Sequence, residues 1–379
     1  MGEEFSSKRG SLDMGVWIGI AAALAAALTL AYLYIRPALG GKPSPESRER
    51  IRRSKQYRDG VFAYPLPTPM LSGWKDQVSI LGEFLKGTPQ AVPDRPLDVE
   101  RYSPASAAER ENAVRVTWFG HSAVLLELGD MTVFLDPMLG RAPSPVPMIG
   151  GQRFKGSSPV DLERLPRLDA VVLSHDHYDH LDYPTILRLK EKTGMFIVPL
   201  GVAAHLERWG VAREAIRECD WSEAVKLNGL TLTCAAARHF SGRGLLSRNS
   251  TLWCSWVIEG QGRRIFFSGD SGYGPHFREI GETYGPFDLT LMECGQYDRR
   301  WASIHMLPEE TVQAHRDVRG SLLLPIHWGA FRLALHAWTD PVERLLRAAS
   351  VDGVAVCTPR IGETVTLGKA EPPATPWWR

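Results

Sequence analysis

The stretch VVLSHDHYDHLD, residues 171 to 182, places three histidines and two aspartates within six residues, directly after a run of apolar β-formers. The run from Asp169 to Leu173 reads as a buried strand, so the polar block sits where that strand ends. His175, His177, Asp179 and His180 form H-x-H-x-D-H. Imidazole nitrogens and a carboxylate oxygen suit a borderline cation such as Zn²⁺, and four such donors in one short loop point to metal binding. The loop cannot complete a site alone. Three further strand ends offer donors: His239 after LTLTCAAAR, Asp270 in FFSGDSGYGPHF and His327 in LLLPIHWGAF.

These residues need a scaffold, and the pattern supplies one. Strand candidates are 114–118, 123–128, 132–136, 169–174, 195–199, 230–236, 252–259, 263–269, 288–293 and 321–327; helical candidates are 183–192, 201–209, 307–318 and 340–350. A meander, then strand and helix units, then a second group of strands predicts two sheets packed face to face with helices outside. The polar motifs fall at strand ends, where loops held on a rigid scaffold concentrate binding and catalysis.

Composition narrows the class. The net charge of +1 over 379 residues, with no basic stripe interleaved with aromatics, argues against nucleic acid as a partner. Five widely spaced cysteines without a C-x-x-C pair fit free thiols in a reducing compartment. The 22 residues from Met14 to Ile35 carry no charge, enough to span a hydrocarbon core of about 30 Å. A signal peptide competes, but its apolar region is only about 7 to 15 residues. Arg36, Lys42, Arg48, Arg50, Arg52, Arg53 and Lys55 follow the segment, against Lys8 and Arg9 before it, which places the rest of the chain on the cytoplasmic side. The expected organisation is a tail (1–13), a transmembrane anchor (14–35), a basic linker (36–60) able to touch anionic headgroups, an extension (61–113) and a catalytic domain (114–379). Within the extension, 61–87 is rich in aromatics, prolines and aliphatics, and reads equally as packing over the core or as part of a lipid-facing groove.

H-x-H-x-D-H followed by a strand-end His, a G-D strand-end Asp and a final His resembles the binuclear metallo-β-lactamase-fold hydrolases, over roughly residues 114 to 360. That resemblance implies an α/β fold, a metallo-β-lactamase-like αββα sandwich, here preceded by a single N-terminal transmembrane helix. It implies one Zn²⁺ held by His175, His177 and His239, and a second held by Asp179, His180 and His327, with Asp270 bridging. Fe or Mn would accept the same donors. VTWFGHSAVLLEL, FLDPML, SHDHYDHLD, GDSGYGPHF, SIHMLPEE and IHWGAF, with DGVFAYPLP further back, together resemble the N-acyl-phosphatidylethanolamine phospholipase D family. By that resemblance Tyr178 and His305 contact phospholipid. Asp136 in LDP is expected to support a metal-ligating His through its other ring nitrogen, and His121 in WFGHSA to line the pocket, support a ligand or anchor a turn. His205, His276, His315 and His336 carry no spacing signal and read as structural.

Two metals about 3.5 to 4 Å apart can hold a bridging hydroxide for in-line displacement at phosphorus. Asp179 and Asp270 would fix the metals, and His305 is a candidate proton donor to the leaving alkoxide. The expected reaction releases phosphatidic acid and an N-acylethanolamine from a lipid still in the bilayer. The anchor and linker are not required by the family's core pattern, and substrate identity is the weakest inference. A lactonase or other metal-dependent hydrolase of the same fold is one alternative. A membrane-tethered binding protein that keeps metal for structure is another, and a homodimer is compatible with either.

Overall fold

The structure, a computed structural model, describes residues 4–70, 73–148, 151–158, 160–244, 246–369 and 371–379. Residues 1–3 of the expected tail, and Leu71 and Ser72 within 61–87, lie outside the described residues.

The chain opens with helix α1 (Glu4–Ile35), which begins inside the expected tail. Its Met14–Ile35 portion holds no buried residue and, among the described residues, is the one helix long and apolar enough to cross a membrane, a test that a signal sequence also passes. Residues 36–60 do not run as a linker; they fold onto the body. Helix α2 (Pro45–Arg53) is capped by Ser44, whose hydroxyl accepts the Ser47 N–H, and it buries Ser47 and Ile51. Arg50 pairs with Glu223 and donates to the Glu218 carbonyl, so part of the basic charge is spent on contacts at the protein's own surface. One aliphatic in nine residues left no apolar period to read. A short hairpin follows, β1 (Tyr57–Arg58) with β2 (Val61–Phe62), then α3 (Trp74–Lys86) and α4 (Ala107–Arg110).

Two mixed sheets form the body. The first contains β3 (Val114–Trp118), β4 (Val124–Leu128), β5 (Met131–Leu135), β6 (Leu168–Val172), β7 (Thr193–Pro199) and β8 (Ile216–Cys219), with α5 (Tyr183–Leu189) and α6 (Ala203–Arg208) between its later strands. The second contains β9 (Ala224–Leu227), β10 (Leu230–Ala235), β11 (Ser255–Gly260), β12 (Arg263–Phe267), β13 (Leu289–Glu293) and β14 (Leu323–Ile326), with α7 (His276–Tyr284), α8 (Pro308–Asp317) and α9 (Asp340–Asp352) interposed or following. Strand β15 (Thr364–Thr366) returns to pair with β3, giving orders β15-β3-β4-β5-β6-β7-β8 and β14-β13-β12-β11-β10-β9. β5 to β8 run parallel, as do β12 to β14.

Alternation decides which face goes where. Val124, Leu126 and Leu128 of β4 join Leu232, Trp256 and Ile258 in the core between the sheets, whereas Leu125 turns outward to Phe119, Phe134 and Val171 and the helix residues Ile186 and Leu206. With both faces covered, every residue of β4, β5 and β13 is buried. Leu252–Cys254, expected within a strand, instead reach over to the other sheet's loops, Leu252 N–H donating to Leu200 O and Cys254 N–H to Ser174 O. The five cysteines are all buried free thiols.

Candidate metal centre

The carboxyl ends of β5, β6, β12, β13 and β14 open on one side of the sandwich, and Asp136, His175, Asp270, Glu293 and His327 stand at or just beyond them. His239 comes four residues after β10. His121, Asp136 and His327 hold positive φ angles of 54°, 38° and 66°, a sparsely populated backbone state for such residues. His121 and His327 also tie the two sheets together, the His121 N–H donating to Trp328 O at 2.7 Å and the His327 N–H to His121 O at 2.8 Å.

All seven expected ligand positions converge. Asp270 Oδ2 lies 3.1 Å from His180 Nε2, 3.2 Å from His327 Nε2, 3.7 Å from His239 Nε2 and 3.8 Å from His175 Nε2. It therefore stands between two groups. In the first, His175, His177, His239 and Asp270 bring one donor atom each within 4.8 Å of one another; in the second, His121, Asp179, His180 and His327 do the same.

The outer hydrogen bonds make these donors ready for a cation. His239 Nδ1 donates to Ile304 O at 2.9 Å, and His180 Nδ1 meets Asp136 Oδ2 at 2.6 Å. With Nδ1 committed to an outer acceptor, each ring turns Nε2 inward as the atom to meet a cation. His177 Nδ1 faces His175 Nε2 at 2.9 Å and His239 Nε2 at 3.2 Å, an encounter of nitrogens that a bound cation resolves. His177 Nε2, His180 Nε2 and Asp270 Oδ1 are buried without a hydrogen-bond partner among the described residues. Unpaired buried polar atoms are costly, and those of His180 and Asp270 fit a metal-binding role.

Electrostatics agree. Burial opposes the charged form of His327, yet Asp270, Asp179 and Glu293 hold its pKa up at about 10. His121, buried and facing the imidazole of His327, is pulled down to about 3 despite its 2.9 Å contact with Asp179 Oδ2. Asp179 and Asp270 therefore favour positive charge at the centre, as a cation would supply.

Asp136 also accepts the Ser174 N–H at 2.7 Å, fixing the start of the ligand loop. Tyr178 donates its hydroxyl to Arg243 O at 2.5 Å, and its ring lies 4.1 Å from the Arg243 guanidinium. His305 stacks on His327 with centroids 5.1 Å apart. Sequence reasoning missed Glu293. This buried carboxylate accepts from Ser271 N–H and Met306 N–H through Oε1, while Oε2 lies 2.7 Å from His305 Nδ1. Its signal was an acid closing the apolar run DLTLME at a strand end. His276 and His315 are buried in hydrogen bonds to Ser271 and Thr290.

A cleft of about 330 Å³ at the centre is lined by His177, Asp179, Asp270, His305 and His327 together with Met70, Ile80, Phe240, Trp301, Ile304 and Leu333. A second cleft of about 350 Å³ shares Met70 and Phe240 and extends toward Tyr64 and Leu66.

Residues 132–328 match the beta-lactamase superfamily domain, and the chain belongs to that superfamily. It is a metal-dependent hydrolase of the metallo-β-lactamase fold, related to the N-acyl-phosphatidylethanolamine-hydrolysing phospholipases D. An uncharacterized protein of Mycobacterium tuberculosis is 42% identical over 97% of this chain and 96% of its own. The N-acyl-phosphatidylethanolamine-hydrolyzing phospholipase D 1 of Caenorhabditis elegans is 36% identical over 62% of this chain and 69% of its own. Among solved structures, Igni18, a metallo hydrolase from Ignicoccus hospitalis, superposes with a TM-score of 0.53 at 24% identity, covering 68% of this chain and all of that one.

Proposed function

We propose that the chain is a membrane-anchored phosphodiesterase that binds two Zn²⁺ ions and hydrolyses N-acyl-phosphatidylethanolamine to phosphatidic acid and N-acylethanolamine. The observation that carries this reading is a cleft lined both by donors of the carboxylate-bearing centre and by apolar side chains, beside a helix that exposes an apolar stripe. A lipid phosphodiester has that same combination, an anionic headgroup beside acyl chains. The relative from Caenorhabditis elegans is named for this substrate.

His175, His177 and His239 would hold one ion and Asp179, His180 and His327 the other, with Asp270 between them. Bound there, the ions supply Lewis acidity and water activation. The remaining roles fall to the protein. Glu293 accepts from His305 Nδ1, which orients the His305 ring and leaves Nε2 for a proton passing to the leaving alkoxide. Tyr178 and His305 are the residues proposed to contact the phospholipid, and the cleft's apolar side chains would seat acyl chains and exclude water.

Helix α3 supports action at a bilayer. Trp74, Val78, Leu81 and Leu85 repeat at helical spacing on one face and are 71%, 60%, 59% and 80% exposed, while Ile80 on the opposite face lines the cleft. With residues 14–35 as a span, the basic residues after it place the catalytic domain on the cytoplasmic side.

The test is elemental analysis of bound metal together with hydrolysis of N-acyl-phosphatidylethanolamine in mixed micelles, comparing wild type with His177→Ala. Two metals per chain and phosphatidic acid release by wild type alone sustain the reading. Two metals with this lipid untouched would leave the centre intact and remove the substrate assignment, directing attention to lactones and other phosphodiesters. Metal binding with no hydrolysis of any such ester would favour a binding protein.

A further inference from the structure

The segment that leaves α1 is fastened to the back of the ligand loop. Trp209 Nε1–H donates to Pro37 O at 2.7 Å, Arg243 Nε–H donates to Ala38 O at 2.9 Å, and the Gly41 N–H donates to His205 Nδ1 at 3.1 Å. The Arg243 and His205 contacts continue inward to the loop that carries the metal donors. Arg243 NH1 donates to Asp176 O at 2.6 Å and to Leu181 O at 2.8 Å, both in the ligand loop. Its guanidinium lies 4.1 Å from the ring of Tyr178 and 5.2 Å from that of Trp209.

His205 makes the second path. A backbone N–H can only donate, so His205 Nδ1 accepts from Gly41 and Nε2 carries the proton toward Asp176 Oδ2, 3.2 Å away. Asp176 Oδ1 accepts the Gly242 N–H at 2.7 Å. Asp176 is fully buried and stands between His175 and His177 in the chain. The seat is cut for glycine: a Cβ on Gly40 would fall 2.0 Å from His205 Nδ1, and one on Gly41 2.0 Å from Ala204 O.

A coil of the 25 residues from 36 to 60 would have an end-to-end distance of roughly 25–30 Å and let the site wander by that much. Here the tether is fixed within six residues of Ile35, the last residue of α1. We propose that Pro37–Gly41 is a strut holding the ligand loop at a set distance and orientation from the bilayer, with His205 and Arg243 as positioning residues for hydrolysis of a bilayer-resident substrate. This rests on reading residues 14–35 as a span and lipid as the substrate.

The experiment uses the full chain in liposomes containing N-acyl-phosphatidylethanolamine, with a water-soluble aryl phosphodiester as the control substrate. Two changes release the strut differently. His205→Leu removes both hydrogen bonds, and a spacer of about twelve Gly and Ser residues between Ile35 and Arg36 leaves the seat intact but frees the anchor. Each is expected to lower kcat/KM on bilayer lipid about tenfold or more while metal content and turnover of the soluble diester stay within about twofold of wild type. His205→Gln, which keeps one acceptor and one donor on the side chain, is expected to restore part of the bilayer rate. Unchanged bilayer turnover in the spacer variant overturns the strut, as does an equal loss on both substrates in His205→Leu. If wild type ignores bilayer lipid but cleaves the soluble diester, the substrate reading has failed, and hydrogen exchange at the Gly41 amide then decides the strut. Slow exchange in wild type and fast exchange in His205→Leu sustain it; fast exchange in both overturns it.

Discussion

Asp136 Oδ2 lies 2.6 Å from His180 Nδ1, and both side chains are fully buried. An ionised carboxylate can only accept, so this contact places a His180 proton on Nδ1 and leaves Nε2, 3.1 Å from Asp270 Oδ2, as the ring atom that would meet a cation. Asp136→Asn keeps the shape and offers an N–H to that same nitrogen. The His180 tautomer then reverses, and Nε2 carries a proton into the centre. Metal affinity is expected to fall about 10- to 100-fold, measured by competition with a chelator. Unchanged affinity would mean that His180 is not a ligand.

Stripping metal should be felt as lost stability. A ligand held at a thousandfold excess over its Kd contributes about 4 kcal/mol to the folded state. Chelation is therefore expected to lower Tm by several degrees, reversed by added Zn²⁺. In the stripped protein, Asp270→Asn is expected to melt lower than wild type, because Asp270 is paired with His180 and His327 and removing one partner of a buried pair leaves the others uncompensated. Calorimetry of the four samples checks both statements, and a wild-type Tm indifferent to chelator contradicts the first.

Glu293 and His305 act as a pair and should separate by kinetics. His305→Ala is expected to lower kcat by about 10²- to 10³-fold if it handles the leaving-group proton. Glu293→Gln still contacts His305 but no longer imposes a proton on Nδ1. A smaller loss in kcat, with KM and metal content near wild type, is expected. A variant that loses metal first would show that Glu293 serves His327, whose Nδ1 is 3.6 Å from Oε2, more than His305.

The donors that converge and the two-sheet body were legible because each donor follows an apolar strand, and a strand end is a place the sequence marks well. What escaped detection lacked a period. β8, β9 and β15 are three or four residues long and partly polar, and α2 shows a single buried aliphatic, Ile51. His205 gave no spacing signal, since its partners Gly41 and Asp176 are 164 and 29 residues away. Glu293 was hidden for a related reason: one acid after LTLM reads as a strand cap until the fold brings His305 to it. Long-range hydrogen bonds of this kind exist only once the chain has closed on itself.

The exposed stripe of α3 predicts a surface effect separate from the anchor. Leu81→Glu with Leu85→Glu puts two charges on a face already open to solvent, so folding should hold, with Tm within about 1–2 °C. Retention on vesicles by a protein lacking residues 1–35 is expected to fall, along with turnover of vesicle lipid, while the soluble diester is hydrolysed normally. Equal vesicle binding by both forms would remove α3 from the membrane-facing side.

His276 provides a pH test away from the metal ligands. It is buried, with Nδ1 2.9 Å from the Tyr64 hydroxyl and Nε2 3.0 Å from Ser271 Oγ. Burial, helped by the charge of Arg238, pulls its pKa from 6.5 to about 3. The folded value is the lower one, so on acidification the unfolded chain takes the proton first. The contribution of neutral His276 is complete above pH 6.5 and is lost as pH falls from there toward about 3. One proton of difference corresponds to ~1.4 kcal/mol per pH unit. His276→Gln cannot titrate, so between about pH 6 and 4 its unfolding free energy should fall less steeply than that of wild type by that amount. Urea titrations of both metal-stripped proteins across that range measure the difference. Parallel slopes would mean that His276 is protonated in the fold, and that Tyr64 and Ser271 both accept from an imidazolium rather than sharing a neutral ring.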